Sequence, residues 1–265
     1  MRYLVFGDVH ANRLALEAVL AAGAARGAEA YLFVGDLVGY GPEPVECVHR
    51  LMALHAAGVL AWVAGNHELA LRGDVPPDGY SAEAVATLDW TRSLLASDPA
   101  AQQFINAARV AVEVNDGIWL THDSLADPGS AEYHRWPQNA KSELACLRWH
   151  KGRVAFYGHT HKMRAELTGE QTDLLLTPME PHEGAGRDPC PVRLPPNELA
   201  WIGVGSVGFP TTPARRPEFL ILDGTTWMVE KYAVAYPRDE ARAKTRAVLT
   251  APCGAAVADR IARWL

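Results

Sequence analysis

Gly158-His159-Thr160-His161 places two imidazoles one residue apart, directly after the apolar run Val154-Ala155-Phe156-Tyr157. Four other apolar runs end in similar chemistry. Residues 3–6 lead into Gly7-Asp8-Val9-His10, 31–34 into Gly35-Asp36, 59–63 into Gly65-Asn66-His67-Glu68, and 118–121 into His122. The donors collected in this way are the carboxylates of Asp8 and Asp36, the amide oxygen of Asn66, and the imidazoles of His10, His122, His159 and His161. Seven ligands exceed the four of a lone structural zinc. They suit two divalent transition-metal ions per chain that share a carboxylate. Oxygen and nitrogen donors without sulfur fit Mn, Fe, Co, Ni or Zn, Mn being favoured. Two ions roughly 3.5–4 Å apart suit in-line displacement at phosphorus, because they generate hydroxide at neutral pH and neutralise the attacking and leaving oxygens.

Such a constellation needs elements that bring distant segments to one place. In an open α/β sheet, ligands bind beyond the carboxyl ends of the strands, and the five motifs each follow a predicted strand. Residues 3–6, 31–34 and 59–63 read as buried strands. Between them, Asn12 caps a helix carrying Leu16, Val19, Leu20 and Gly23, and Pro44 opens one carrying Val45, Val48, Leu51 and Met52. This βαβαβ start implies parallel pairing. Ser81 and Pro99 open two more helices, reaching about residues 96 and 108. Segments 109–114 and 118–121 flank Asn115-Asp116-Gly117, a hairpin signal. A helix over about 139–150 precedes the 154–157 strand, and further strands are predicted at 163–167, 174–177, 199–204, 218–222 and 227–236. Prolines at 178, 181, 189, 191, 195 and 196 make 178–198 a long loop and a candidate lid. Two helices, from about 238 and 255, complete the pattern. With no linker-like boundary, the expectation is one domain over 1–265, its core spanning about 1–236.

Bulk properties narrow the function. At 49% hydrophobic residues, a chain of this length can fill one core. A formal charge of −6 excludes a global basic field, so general nucleic-acid binding is not expected and phosphate affinity must be local. The cysteines, Cys47, Cys146, Cys190 and Cys253, form no CxxC pair, which argues against a thiolate metal site or a disulfide framework. No apolar stretch approaches a membrane span, and Asp8 comes too early for a signal peptide. A cytoplasmic protein with reduced thiols and no membrane partner is expected. Nothing in the pattern sets an oligomeric state.

Taken in order, Asp8-x-His10, Gly35-Asp36, Gly65-Asn66-His67-Glu68, His122 and Gly158-His159-x-His161 resemble the calcineurin-like metallophosphoesterase superfamily. The stretches GDVHANRLALEAVL, GDLVGYGPEP and GSVG (205–208) are similar to its small bacterial and archaeal phosphodiesterases. The family's protein serine/threonine phosphatases carry Asp-Arg-Gly where Gly39-Tyr40-Gly41 stands here. The resemblance implies an α/β (α+β) fold of two packed mixed β-sheets flanked by helices, a four-layer α-β-β-α sandwich. It implies that Asp8, His10 and His161 hold one ion, that Asn66, His122 and His159 hold the other, and that Asp36 bridges. His67 would face the phosphate, as a charge stabiliser or as the acid for the leaving oxygen. The implied reaction is phosphodiester hydrolysis of a small or nucleotide-type substrate by in-line attack of metal-bound hydroxide. Phosphomonoesterase and nucleotide pyrophosphatase activity on the same site are alternatives, as is a non-catalytic scaffold, against which the presence of His67 argues. Two departures stand out: Asp123 follows His122 where relatives usually have glycine, and Val204 precedes Gly205 where Asn-Pro is common.

Other motifs receive plainer readings. His49, His55, His134, His150 and His182 are taken as structural. Tyr40 packs its own turn or contacts substrate. Tyr133, His134, Arg135 and Trp136 are a candidate surface for stacking a nucleobase. Gly203-Val204-Gly205-Ser206-Val207-Gly208 matches a dinucleotide fingerprint, but Pro210, Pro213 and Pro217 exclude the helix it requires. Its glycines instead let the loop approach the metal cleft.

Overall fold

The computed structural model describes residues 1–76, 78–115, 117–130, 140–168 and 192–265. Strand β1 (Arg2–Phe6) buries both faces. Side chains alternate across a strand, so Leu4 and Phe6 meet Leu16, Val19 and Leu20 of helix α1 (Arg13–Ala25), while Tyr3 and Val5 point to the opposite side. Burial on both faces explains the unbroken apolar run. Asn12 caps α1 as predicted, its side chain accepting from the Ala15 amide at 3.2 Å. Strands β2 (Ala30–Phe33) and β3 (Leu60–Trp62), linked by helix α2 (Pro44–Ala56), continue the sheet in parallel. Helix α3 (Asn66–Arg72) starts at the third motif itself and stops at Gly73, whose φ is 85°. Ser81 and Asp98 cap helices α4 (Ala82–Leu95) and α5 (Pro99–Ala107).

The second sheet is built from β4 (Ala111–Glu113), β5 (Ile118–Thr121), β6 (Val154–Tyr157), β7 (Met163–Leu167) and β9 (Ala200–Val204), in the order β4-β5-β6-β9-β7. The predicted hairpin pairs Ala111 with Thr121, and Gly117 supplies the positive φ, 83°, that the turn requires. Strand β8 (Val192–Arg193), β10 (Glu218–Asp223) and β11 (Met228–Ala233) complete the first sheet as β3-β2-β1-β10-β11-β8.

The layers follow from the alternation. Val5, Leu32, Val34, Leu220 and Leu222 of the first sheet pack on Ile118, Leu120, Val154, Phe156, Ile202 and Val204 of the second. On the outer face of the second sheet, Ala155, Tyr157 and Trp201 pack on Leu147 of helix α6 (Ala140–Trp149). The result is the α-β-β-α sandwich of two mixed sheets. Helices α7 (Arg238–Cys253) and α8 (Ala255–Trp264) pack on each other and on α4. Strand β11 ends at Ala233, short of the predicted residue 236. The predicted strand 174–177 and most of the candidate lid lie outside the described residues. No described helix is long and apolar enough to cross a membrane.

Candidate metal centre

The ligand-bearing loops leave their strands in backbone conformations that most residues avoid. Asp8, His10, Asp36, His159 and His161 all have positive φ, between 48° and 61°. Asp and His tolerate this region better than bulky or β-branched residues, and its concentration here is local strain of the kind found at functional sites. Main-chain bonds lock the loops together: Asp8 N donates to Gly35 O (2.9 Å), His10 N to Asp36 O (3.0 Å) and Gly158 N to His122 O (3.0 Å). Glycine is required where they touch. A Cβ on Gly65 would fall 2.2 Å from Asp36 Oδ1.

Eight predicted site residues, Asp8, His10, Asp36, Asn66, His67, His122, His159 and His161, are brought into one cluster. Hydrogen-bond roles conflict within it. His122 Nδ1 lies 2.7 Å from Val34 O, and a carbonyl only accepts, so Nδ1 carries the hydrogen. Its Nε2 then faces two more oxygens, Asn66 Oδ1 at 3.0 Å and Asp36 Oδ2 at 3.3 Å. His10 and His161 repeat the pattern. Their Nδ1 atoms donate to Val38 O (3.3 Å) and Phe209 O (3.0 Å), which leaves the two Nε2 atoms confronting each other at 3.1 Å. Asp8 Oδ1 is 3.3 Å from His161 Nε2, and Asp8 Oδ2 is buried with no hydrogen-bond partner among the described residues. Neutral rings would aim lone pairs at one another and at oxygens. Such an arrangement is stable only with positive charge between the groups, a proton or a metal ion.

Ligand atoms in three sets, Asp8/His10/His161, His10/Asp36/His67 and Asp36/His122/His159, lie within 4.8 Å of one another and could each hold a metal ion. Asn66 Oδ1 adds an oxygen 2.9 Å from His159 Nδ1. Asp36 belongs to two sets: its Oδ1 accepts from the His67 amide (2.9 Å), while Oδ2 is 3.3 Å from His122 Nε2 and 3.8 Å from His10 Nε2. The electrostatics agree. Burial lowers the basicity of His10 and His67, and takes His159 down to about 4 with help from His122. At His122, burial is outweighed by the Asp36 carboxylate beside it, and the ring rises to about 10. For Asp36 burial is again outweighed, here by His122, His67 and His10, which hold its carboxyl well below the usual range. The set thus fits divalent cations with borderline nitrogen and hard oxygen ligands.

Surrounding residues that carried no predicted role hold these groups in place. Glu68 accepts four main-chain amides, from Gly65 (2.8 Å), Asp36 (2.9 Å), Leu37 (2.9 Å) and Val38 (3.1 Å), and so ties the second motif to the third. A Glu three residues into a helix is a recognisable capping signal. Ser206 Oγ donates to Asp8 O (3.0 Å) and accepts from Phe209 N (2.9 Å), which sets the carbonyl that orients His161. No helix opens at these glycines; the loop closes on the first motif, and a Cβ on Gly208 would sit 2.0 Å from Val9 O. Asp123, one of the two departures, turns its carboxylate into its own loop, where Oδ1 accepts from Ser124 N (2.7 Å) and Gly129 N (3.0 Å).

A cavity of about 600 Å³ opens over Asn66, His67 and His159. Its walls include Tyr40 and Tyr80. The Tyr40 ring lies 5.0 Å from the rings of His10, His67 and Phe209, so it packs the turn and lines the cleft at once. Arg135 and Trp136 lie outside the described residues.

Uncharacterized protein MJ0912 of Methanocaldococcus jannaschii is 26% identical over 264 residues, covering 98% of this chain and 94% of that protein. The crystal structure of a metallophosphoesterase from Sphaerobacter thermophilus superposes with a TM-score of 0.78 at 25% identity, covering 100% of this chain and 99% of the other. Hypothetical protein PH1004 from Pyrococcus horikoshii shares the fold, with a TM-score of 0.67, 16% identity and coverage of 93% and 92%. Residues 1–163, more than half of the chain, match the family model for calcineurin-like phosphoesterases. All five motifs and the first sheet's parallel half lie in that span, and the chain belongs to the calcineurin-like phosphoesterase family.

Proposed function

We propose that this metallophosphoesterase works with two divalent ions and prefers phosphodiesters. Asp8, His10 and His161 hold one ion, Asn66, His122 and His159 the other, and Asp36 Oδ2 is shared. The supporting observation is the pair of confronted Nε2 atoms, His10 facing His161 at 3.1 Å, together with His122 Nε2 facing two oxygens across the same pocket. Ions in such a centre lower the pKa of water and neutralise phosphoryl oxygens. His67 contributes separately. Its ring lines the cleft beside Asn66 and His159, where it is placed to donate to a phosphoryl or leaving-group oxygen.

Diester preference is supported by the cleft's charge. Among the described residues lining it there is no lysine or arginine, and Tyr40, Val75, Pro76 and Tyr80 offer apolar wall. A monoester dianion gains from additional cations, whereas a diester carries one negative charge and a second substituent that needs such a wall. In Mn2+-reconstituted protein, kcat/KM for bis-p-nitrophenyl phosphate should exceed that for p-nitrophenyl phosphate by about 10-fold or more. A ratio of one or below would overturn the diester assignment. Turnover of neither ester, with both ions bound, would overturn the phosphoesterase reading in favour of a scaffold.

A further inference from the structure

We propose that Tyr80 is a positioning residue for the centre: its hydroxyl fixes the Asn66 amide so that Oδ1, rather than Nδ2, faces His122 and His159. The Tyr80 hydroxyl donates to the Asn66 main-chain carbonyl at 2.8 Å. Having one hydrogen, it can then only accept from the Asn66 side chain, which it does, from Nδ2 at 3.0 Å. A flipped amide would set Oδ1 against the hydroxyl's lone pairs and turn Nδ2 toward His122 Nε2 and His159 Nδ1, 3.0 and 2.9 Å from the present Oδ1. An NH2 group at that position has no lone pair for a cation. The tyrosine thus selects the one orientation in which asparagine can act as a ligand.

The local fold delivers Tyr80 to this point. Helix α3 carries Asn66 in its first turn and ends at Gly73; Gly79 (φ 91°) turns the chain back, and Ser81 caps α4 immediately afterwards. Tyr80 is thereby held between the two helices, its ring 5.7 Å from that of His67, while the same ring forms part of the cleft wall. A wall residue alone would not need both hydrogen bonds to one asparagine.

This inference rests on the reading of Asn66 as a metal ligand, and Mn2+ titration of the full chain separates the two. Tyr80→Phe should weaken one Mn2+ step, the one that Asn66→Ala also weakens, about 10–100-fold, the usual cost of losing a group that orients a ligand, and leave the other step unchanged. A carboxylate at position 66 has two equivalent oxygens and needs no such selection, so in an Asn66→Asp background the same Tyr80→Phe change should move that step by less than about 3-fold. Wild-type Mn2+ affinities in Tyr80→Phe would overturn the proposal, as would an equal loss in both backgrounds, which would mark packing rather than orientation. If Asn66→Ala itself leaves both steps intact, the assignment of Asn66 as a ligand falls first.

Discussion

Gly39 shows how much a single missing side chain can decide. Its φ of 85° is a conformation that glycine adopts freely, and a Cβ there would lie 2.0 Å from His67 Nδ1. An alanine must therefore push the imidazole away or distort the turn, while Asp36 and Asn66 keep their own anchors in Glu68 and Tyr80. Gly39→Ala should lower kcat by about 10²–10⁴-fold, the range for removing a positioned acid or base, with the Mn2+ content of the purified protein unchanged. Parallel loss of metal, seen by elemental analysis, would instead place Gly39 in support of the ligands. At this scale the ligand types were legible: each sits in a short motif after an apolar run. Their geometry was not. Positive φ at Asp8 or His161 is imposed by bonds to loops far along the chain, which no local pattern reveals.

Elements carry a second consequence, at the start of β10. Glu218 is 1% exposed, beneath the loop that supports the first motif; a Cβ on Gly205 would meet its Oε2 at 2.3 Å. Burial pushes its carboxyl up to about 7, against the opposing pull of the Ser206 amide and His161. Because the folded protein holds this proton more tightly than the unfolded chain, the stabilisation is complete below about pH 4.5 and lost as pH rises toward 7. Glu218→Gln keeps the shape and removes the titration. Relative to the parent, the variant should gain about 1–3 kcal/mol on going from pH 5 to pH 8, read from urea unfolding at both values. An identical difference at the two pH values would show that Glu218 does not titrate in this range. Most elements were readable, since β1, β6 and β10 are apolar runs with clear ends and Asn12, Ser81 and Pro99 are ordinary helix starts. Helix α3 gives no signal of its own, because residues 65–68 read as a site motif and only one turn follows. Tyr80 carries no local signal for a related reason: its partner Asn66 lies 14 residues away and not at a helical spacing.

The whole molecule places the cluster at a seam. Asp8, His10, Asp36 and Asn66 follow strands of the first sheet, whereas His122, His159 and His161 follow strands of the second. Strand order could not be read from periodicity, yet it is what lets β6 end beside β1's loop, with His159 N donating to Asp8 Oδ1 at 2.9 Å across 151 residues. Cations held there would bind ligands from both sheets and so favour the folded state over any opened one. Without them, the same groups leave carboxylates and bare imidazole nitrogens crowded in a buried space. Mass action gives the size of the effect: a metal at 100 times its Kd contributes about 2.7 kcal/mol, and for a chain of this size each kcal/mol moves Tm by roughly 2–4 °C. Removing Mn2+ with EDTA should therefore lower Tm by about 5–10 °C per ion at that concentration. Asp36→Asn, which weakens the shared ligand, should shrink that shift more than His161→Ala, which touches one ion. A chelator-independent Tm in protein shown to contain metal would mean that the ions do not join the sheets, and equal shifts in the two variants would remove Asp36 from its shared position.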